Sequence, residues 1–322
     1  MKISRNKVRV GITMGDPSGI GPAIICQALD RLSGLAEFVV IGDKWVFQKA
    51  ARLLGQKIPH LTLIDLDNVR HNTFNFGKVR AAFGRASIEY LDEALESIDD
   101  NRIDCLVTGP ISKEAIKLAG FSYRGHTEYF AERTNTKAPI MMLLNDRLRF
   151  SLVTRHIPLK EIPQALNRQK LAATISITRE FLKNTFLINQ PRIVVCGLNP
   201  HASDNGLIGR EENRIIKPVI KLLNKKFKFL TGPLPADVAI YQASQAKFDC
   251  VIALYHDQAL IPLKLSGADT GANITIGLPF IRTSPLHGTA FDISNNPCVA
   301  NPSSLISAIK LAILCISNQR RA

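Results

Sequence analysis

Three of the seven histidines in this 322-residue chain fall where a metal site would draw on them. His156, His201 and His256 each follow an apolar, β-rich run within a few residues. Neutral imidazole is the commonest side-chain ligand for a divalent transition metal. Any one of them alone reads more simply as a hydrogen-bonded loop histidine. Three in matching positions point to a shared site, although separations of 45 and 55 residues match no short-range metal motif. Asp237 and Asp257 are candidate carboxylate partners. A metal held this way keeps positions open for neighbouring substrate oxygens. His287 sits in a Gly-flanked turn and fits either a structural or a functional role, whereas His60 and His71 occupy ordinary loop contexts.

A second set of residues suits an anion. In Gly125-His126-Thr127-Glu128, Thr127 fits an N-cap and Glu128 the first helical turn. The same helix N-terminus, flanked by His126 and Thr127 donors, can grip phosphate or carboxylate, and the two readings are compatible. Lys264, Asn273 and Arg282 follow the His256 loop. Lysine and arginine suit carboxylate or phosphate, arginine in a bidentate way; the plainer alternative is that both are surface charges. A buried lysine beside a metal can also act as a base. The run Met14-Gly15-Asp16-Pro17-Ser18-Gly19-Ile20-Gly21-Pro22 lacks both nucleotide signatures. Ile24 stands where the third glycine of G-x-G-x-x-G would fall, and no Gly-Lys-Ser/Thr follows. It reads as a tight turn with Pro22 in the first helical turn.

Such residues need strand ends to position them. Strands are expected at Val8–Thr13, Phe38–Ile41, Ile103–Thr108, Arg149–Thr154, Arg192–Cys196, Cys250–Tyr255 and Asn273–Ile276. Helices are expected at Gly21–Arg31, Lys44–Leu54, Ala86–Ser97, Glu128–Thr134, Leu171–Asn184, Asn213–Lys225 and Ser303–Ser317. The alternation indicates an α/β fold with a largely parallel sheet. Most of these strands run into polar, Gly- or Pro-marked turns, the edge where parallel sheets bind ligands.

Composition bounds the function. With 46% hydrophobic and 21% charged residues the chain is globular with material for a core. No stretch reaches the ~18 apolar residues of a membrane span. Lys2, Arg5, Lys7 and Arg9 imitate a signal-peptide start, but Gly15, Asp16 and Pro17 break the apolar run, so a cytoplasmic protein is expected. The six cysteines form no C-x-x-C pair, and Cys105, Cys196 and Cys250 read as buried free thiols. The net charge of +14 is dispersed. Its densest stretch, Lys217, Lys221, Lys225, Lys226 and Lys228, is the solvated face of a helix whose stripe is Val219, Ile220, Leu222, Leu223 and Phe227. Neither a nucleic-acid nor a membrane partner is expected, and the charge is better suited to an anionic substrate or cofactor.

Taken in order, the segments resemble the 4-hydroxythreonine-4-phosphate dehydrogenase family of vitamin B6 biosynthesis. The resemblance runs from Gly11 to Pro22 through Thr108-Gly109-Pro110-Ile111-Ser112-Lys113, Gly125-His126-Thr127-Glu128 and Asn199-Pro200-His201-Ala202. It continues through Gly232-Pro233-Leu234-Pro235-Ala236-Asp237 and Tyr255-His256-Asp257-Gln258 to the stretch from Asn273 to Ser284. It implies a two-domain α/β/α architecture similar to isocitrate and isopropylmalate dehydrogenases, with the active site in the interdomain cleft. The implied domains are 1–130 plus 275–322 and 131–274. It implies a homodimer whose metal site is shared between subunits, NAD or NADP as cofactor, and zinc, magnesium or cobalt as the metal. By resemblance the metal ligands are His156, His201 and His256, and the substrate contacts are His126, Thr127, Lys264, Asn273 and Arg282. Arg155 and Ala259 depart from the family pattern, where a small polar residue and glycine are common, and neither is a ligand position.

The implied reaction oxidises 4-phosphooxy-L-threonine to 2-amino-3-oxo-4-phosphooxybutanoate. Decarboxylation then gives 3-amino-2-oxopropyl phosphate, for pyridoxine 5'-phosphate. Lys264 is the candidate base. The rivals are a dehydrogenase of 4-phospho-threonate or 4-phospho-erythronate and, more remotely, a phosphate acyltransferase of the same fold.

Overall fold

Short apolar runs become strands, and amphipathic stretches between them become helices, in the computed structural model, which describes residues 7–58, 61–123, 125–226 and 228–321. His60 and Phe227 lie outside the described residues. The chain forms two units. The first comprises its described residues up to Thr136 with Ala272–Ile274 and Leu278–Arg320, and the second comprises Lys137–Gly271 with Thr275–Gly277.

The first unit opens with β1 (Arg9–Thr13), α1 (Gly21–Arg31), β2 (Glu37–Gly42), α2 (Lys44–Leu53), β3 (Thr62–Asp65), α3 (Ala81–Asp99), β4 (Cys105–Thr108), α4 (Lys113–Leu118) and α5 (His126–Arg133). The second contains β5 (Ile140–Leu144), β6 (Arg149–Leu152), α6 (Ile162–Ala165), α7 (Arg168–Asn184), β7 (Ile193–Cys196), α8 (Lys217–Asn224), β8 (Leu230–Leu234), α9 (Ala236–Ser244), β9 (Cys250–Ala253) and α10 (His256–Gly267). After β10 (Ala272–Ile276), whose residues divide between the units, the first unit closes with β11 (Arg282–Pro285) and α11 (Ser303–Gln319).

Strands of the first unit run in the order β3-β2-β1-β4-β11, all parallel. Parallel strands carry helices on both faces, so their residues are apolar on both sides. Val10, Ile12, Val40, Leu106 and Val107 are accordingly buried. Pro22 in the first turn of α1 has no N–H to leave unpaired, and Ile24, Ile25 and Leu29 pack inward. In the second unit the order is β5-β6-β9-β7-β8, with only β5 antiparallel to its neighbour. Ser112 and Asn167 cap α4 and α7, accepting from Ala115 N at 3.1 Å and Lys170 N at 2.8 Å. The expected helix from Asn213 begins instead as a π turn over Glu212–Ile216 and becomes α-helical at Lys217. No helix among the described residues is long and apolar enough to cross a membrane.

The first unit fully buries two carboxyl groups, Asp16 and Asp43. Asp43, at the end of β2, accepts from Val69 N at 2.9 Å and from the Tyr90 hydroxyl. Asp16 lies on the turn after β1, where Gly15 has φ +76° and a Cβ would strike the Pro110 carbonyl, so only glycine fits. Its Oδ1 accepts from Ser18 N at 3.0 Å, while Oδ2 is shielded without a hydrogen-bond partner. Burial pushes the Asp16 carboxyl up to about 7, against the weaker pull of the Ser18 N–H. The folded pKa thus lies above the unfolded one. Between about pH 4 and 7 the native state keeps a proton that the unfolded chain has lost, so stability falls as pH rises through that window. Asp16→Asn removes the linkage. In urea unfolding the variant should gain on the wild type by up to a few kcal/mol between about pH 4.5 and 7.5, at about 1.36 kcal/mol per pH unit. A stability difference independent of pH would refute this account.

Candidate active site

Parallel strands deliver their carboxyl ends to one edge of a sheet. In the second unit β9 lies between β6 and β7, so the segments after these three strands leave side by side. His156 stands four residues past β6, His256 three past β9 and His201 five past β7. The β6–β9 ladder continues beyond the regular strands. Val153 N donates to Ala253 O at 2.9 Å, and the buried Thr154 hydroxyl donates to Leu254 O at 2.6 Å. The His156 and His256 ring centroids lie 5.4 Å apart. Both rings line a cleft of about 350 Å³ together with Ile162, Tyr255 and Asp257.

His256 Nδ1 lies 2.6 Å from Asp257 Oδ1. With the proton on Nδ1, the carboxylate fixes the ring and leaves the Nε2 lone pair to a metal. The donor chemistry of the cleft therefore fits a divalent cation. Gln258 ties the neighbouring turns together, since its Oε1 accepts from Leu254 N at 2.7 Å and its Nε2 donates to Gly197 O at 2.9 Å. Beyond Gly197 the backbone winds left-handed. His201, Ala202, Ser203, Asp204 and Asn205 have φ between 43° and 71°. Each such residue costs about 1–2 kcal/mol without glycine, and strain of this kind concentrates at functional sites.

His201 is exposed on that segment. Among the described residues no group of three or more His, Cys, Asp or Glu side chains is placed to hold a metal ion. One chain pairs His156 with His256 without a third such ligand. Asp237 lies in the first turn of α9, after the edge strand β8. Lys264 is exposed on α10, eight residues from His256 or about 12 Å of helix axis. The burial that would favour a lysine base is absent from the single chain. Arg155 is near Lys170, whose pKa is lowered by burial first and then by this guanidinium.

The first unit gathers the anion-directed residues. Thr127 does not cap α5; the helix starts earlier, with Gly125 in extended conformation as N-cap and His126 as its first residue. Glycine supplies the entry, so the buried Thr127 hydroxyl is not committed to capping. Arg282 is only 1% exposed, and its Nε and Nη2 donate to Thr108 Oγ1 at 3.1 and 2.5 Å. Its guanidinium carbon also sits 5.9 Å from the Phe130 ring centre. Burial lowers the Arg282 pKa to about 9, opposed by Glu128, and the group stays cationic at neutral pH.

His126 is driven well below its ordinary pKa by burial first, then by Arg282 and Lys113, with a Gly109 backbone hydrogen bond opposing. Its Nε2 is shielded and has no hydrogen-bond partner. On β10, Asn273 Nδ2 donates to Ser284 Oγ at 3.1 Å while its Oδ1 is likewise shielded and unpartnered. His287 shows the same feature: its Nδ1 is 3.1 Å from Gly288 O, and its Nε2 has no partner.

Sequence reasoning passed over Gln258, whose only signal was its place after His256-Asp257. It also read the residues after β4 as a turn without foreseeing that Thr108 would seat Arg282.

Residues 34–312 match the family described as pyridoxal phosphate biosynthetic protein PdxA. A 4-hydroxythreonine-4-phosphate dehydrogenase of Desulforapulum autotrophicum is 43% identical, covering 96% of each chain. A protein of Oceanobacillus iheyensis provisionally named D-threonate 4-phosphate dehydrogenase is 39% identical, covering 94% of this chain and 96% of its own. The crystal structure of 4-hydroxythreonine-4-phosphate dehydrogenase from Klebsiella pneumoniae superposes with a TM-score of 0.86 at 35% identity, covering 97% of this chain and 100% of that one.

The buried Arg282 guanidinium is a fixed cation whose chemistry suits an anion. Inorganic phosphate should raise the melting temperature of the wild type, with stabilisation approaching about 2.7 kcal/mol at 100 times its dissociation constant. Arg282→Ala should abolish that dependence while remaining folded by circular dichroism. Equal phosphate-dependent shifts in both proteins would disprove the assignment.

Proposed function

Because the chain belongs to the pyridoxal phosphate biosynthetic protein PdxA family, we propose that it is an NAD(P)- and divalent-metal-dependent dehydrogenase. In this reading it oxidises 4-phosphooxy-L-threonine to 2-amino-3-oxo-4-phosphooxybutanoate. The hydroxyl proton goes to a base and the hydride to the nicotinamide. Loss of the carboxylate as carbon dioxide then leaves 3-amino-2-oxopropyl phosphate for pyridoxine 5'-phosphate. The observation that carries the reading is the His156–His256 pair, with Asp257 orienting one ring for coordination through Nε2.

His156, His201 and His256 would hold the cation, which supplies positive charge that favours ionisation of the substrate hydroxyl. Arg282, preorganised on Thr108, grips the phosphate, Thr127 adds a hydroxyl donor, and the unpartnered His126 Nε2 accepts a hydrogen bond from a protonated group of the substrate. The shielded Asn273 Oδ1 accepts from the substrate's ammonium or hydroxyl group.

The homodimer reading draws support from the second unit's surface. Ile261 and Leu265, one turn apart on α10, are 58% and 84% exposed, and Leu207 after the left-handed segment is 85% exposed. A second copy covering that face would also exclude water from Lys264, the condition under which a lysine serves as general base. It would bring the third imidazole that one chain does not place with the other two.

A second substrate reading has its own support. The Oceanobacillus relative is nearly as similar as those named for the amino acid, so 4-phospho-D-threonate is the alternative. The two substrates differ by an ammonium group against a hydroxyl.

The test is absorbance at the NADH wavelength with 4-phosphooxy-L-threonine, 4-phospho-D-threonate and 4-phospho-D-erythronate, with NAD or NADP. Turnover on the amino acid should exceed the others, vanish with chelator and return with zinc, magnesium or cobalt. His201→Ala and His256→Ala should each lose bound metal and on the order of 10²-fold or more in turnover. Normal metal content and turnover in these variants would end the reading. Leu265→Asp should shift the protein to a monomer in light scattering and remove activity; an active monomer would exclude the shared site.

A further inference from the structure

Two and three residues before His201, the chain is held by a carboxylate from thirteen and fourteen residues further on. Glu212 is fully buried. Its Oε1 accepts from Leu198 N and Asn199 N, each at 2.8 Å, and its Oε2 accepts from Asn199 Nδ2 at 2.9 Å. Asn199 Nδ2 also donates to Glu211 Oε2 at 2.8 Å. Glu212 opens the π turn Glu212–Ile216, a rare form of helix frequent at functional sites. From the next residue, Asn213 Nδ2 donates to Asn205 O at 3.0 Å and holds the far end of the same left-handed segment.

A buried carboxylate is expensive unless its oxygens are satisfied. This one spends its acceptors on the two backbone N–H groups and the side chain that lead into five strained, non-glycine residues. Simple loop closure needs neither the charge nor the strain. We propose that Glu212 is the positioning residue of His201. Through Leu198 and Asn199 it keeps the left-handed segment wound and fixes where the His201 imidazole is presented, so that Glu212 sets the protein's affinity for a divalent metal. The inference rests on the reading of His201 as a ligand.

Glu212→Gln separates positioning from bulk. The amide oxygen can still accept from Leu198 N and Asn199 N. The amide nitrogen, however, would face the donor of Asn199, and rotating Asn199 would turn its oxygen onto Glu211. The substitution keeps shape and weakens one end of the clamp.

Co(II) titrated into the full-length protein, followed by its d–d absorption and by competition with a chelator, reads the effect without turnover. Glu212→Ala should weaken Co(II) binding by about 10- to 100-fold and alter the d–d bands, in the range for groups that orient a metal ligand. Glu212→Gln should fall between it and the wild type, and it carries the test if the alanine variant fails to fold. His201→Ala should lose the same bands. If both Glu212 variants bind Co(II) with wild-type affinity and spectrum while His201→Ala does not, the positioning role is overturned and the ligand assignment stands. If His201→Ala binds Co(II) like the wild type, both are overturned.

Discussion

Parallel pairing of β6, β9 and β7 is the constraint from which the rest of the second unit's site follows. Parallel strands must leave the sheet on the same edge, and hydrogen-bonded neighbours leave it side by side. Residues 100 positions apart (His156 and His256) and 55 apart (His201 and His256) therefore follow adjacent strands. The ladder reaches past the strands to Thr154 and Leu254, so the distance between the His156 and His256 rings is governed by backbone geometry more than by loop preference. Gln258 does the same for β9 and β7 with one side chain in place of a ladder.

The two units treat charge in opposite ways. The second leaves His156 and His201 exposed, where a neutral imidazole keeps its lone pair and loses little solvation. The first buries Arg282 and shields the inner nitrogen of His126, and both groups move toward their neutral forms as burial requires. A cation site can be assembled late, around side chains that water already reaches. An anion site needs its positive charge held in place beforehand, at a cost in solvation that Thr108 only partly offsets. Burial thus separates Arg282 from the exposed His156 and His201.

The strand-end position of the histidines was legible because apolar runs followed by polar turns are a one-dimensional signal. The strand order that makes them neighbours was not, because pairing is decided by tertiary contacts. Four strands carried no expectation, β3, β5, β8 and β11, and the last three have a local reason. β5, Ile140-Met141-Met142-Leu143-Leu144, reads equally well as helix. β8 carries Gly232-Pro233, tolerable only because it is an edge strand. β11, Arg282-Thr283-Ser284-Pro285, is polar yet wholly buried, so it carries no apolar run to announce a strand. Pro262 disguised α10 as a loop after His256. The left-handed segment has no glycine from His201 to Asn205, so nothing local announces it, and its cause lies in Glu212, outside any sequence window.

The absence of a glycine fingerprint can be followed into the packing. In a dinucleotide-binding βαβ unit, an acidic residue after the second strand takes the ribose hydroxyls, and glycines let the pyrophosphate approach the first helix. β1–α1–β2 has the same order, and Asp43 occupies the acidic position. Yet both Asp43 oxygens are engaged, by Val69 N and the Tyr90 hydroxyl, and the residue is fully buried. The turn before α1 is closed by its own neighbours: Gly77 N donates to Ser18 O at 2.8 Å, Ile20 N to Thr289 O at 2.9 Å, and Asp16 N to Pro110 O at 2.8 Å. Of the turn's own N–H groups, those of Asp16 and Ile20 are already spent on the protein. The missing sequence motif thus corresponds to a turn whose backbone is bonded to its own neighbours.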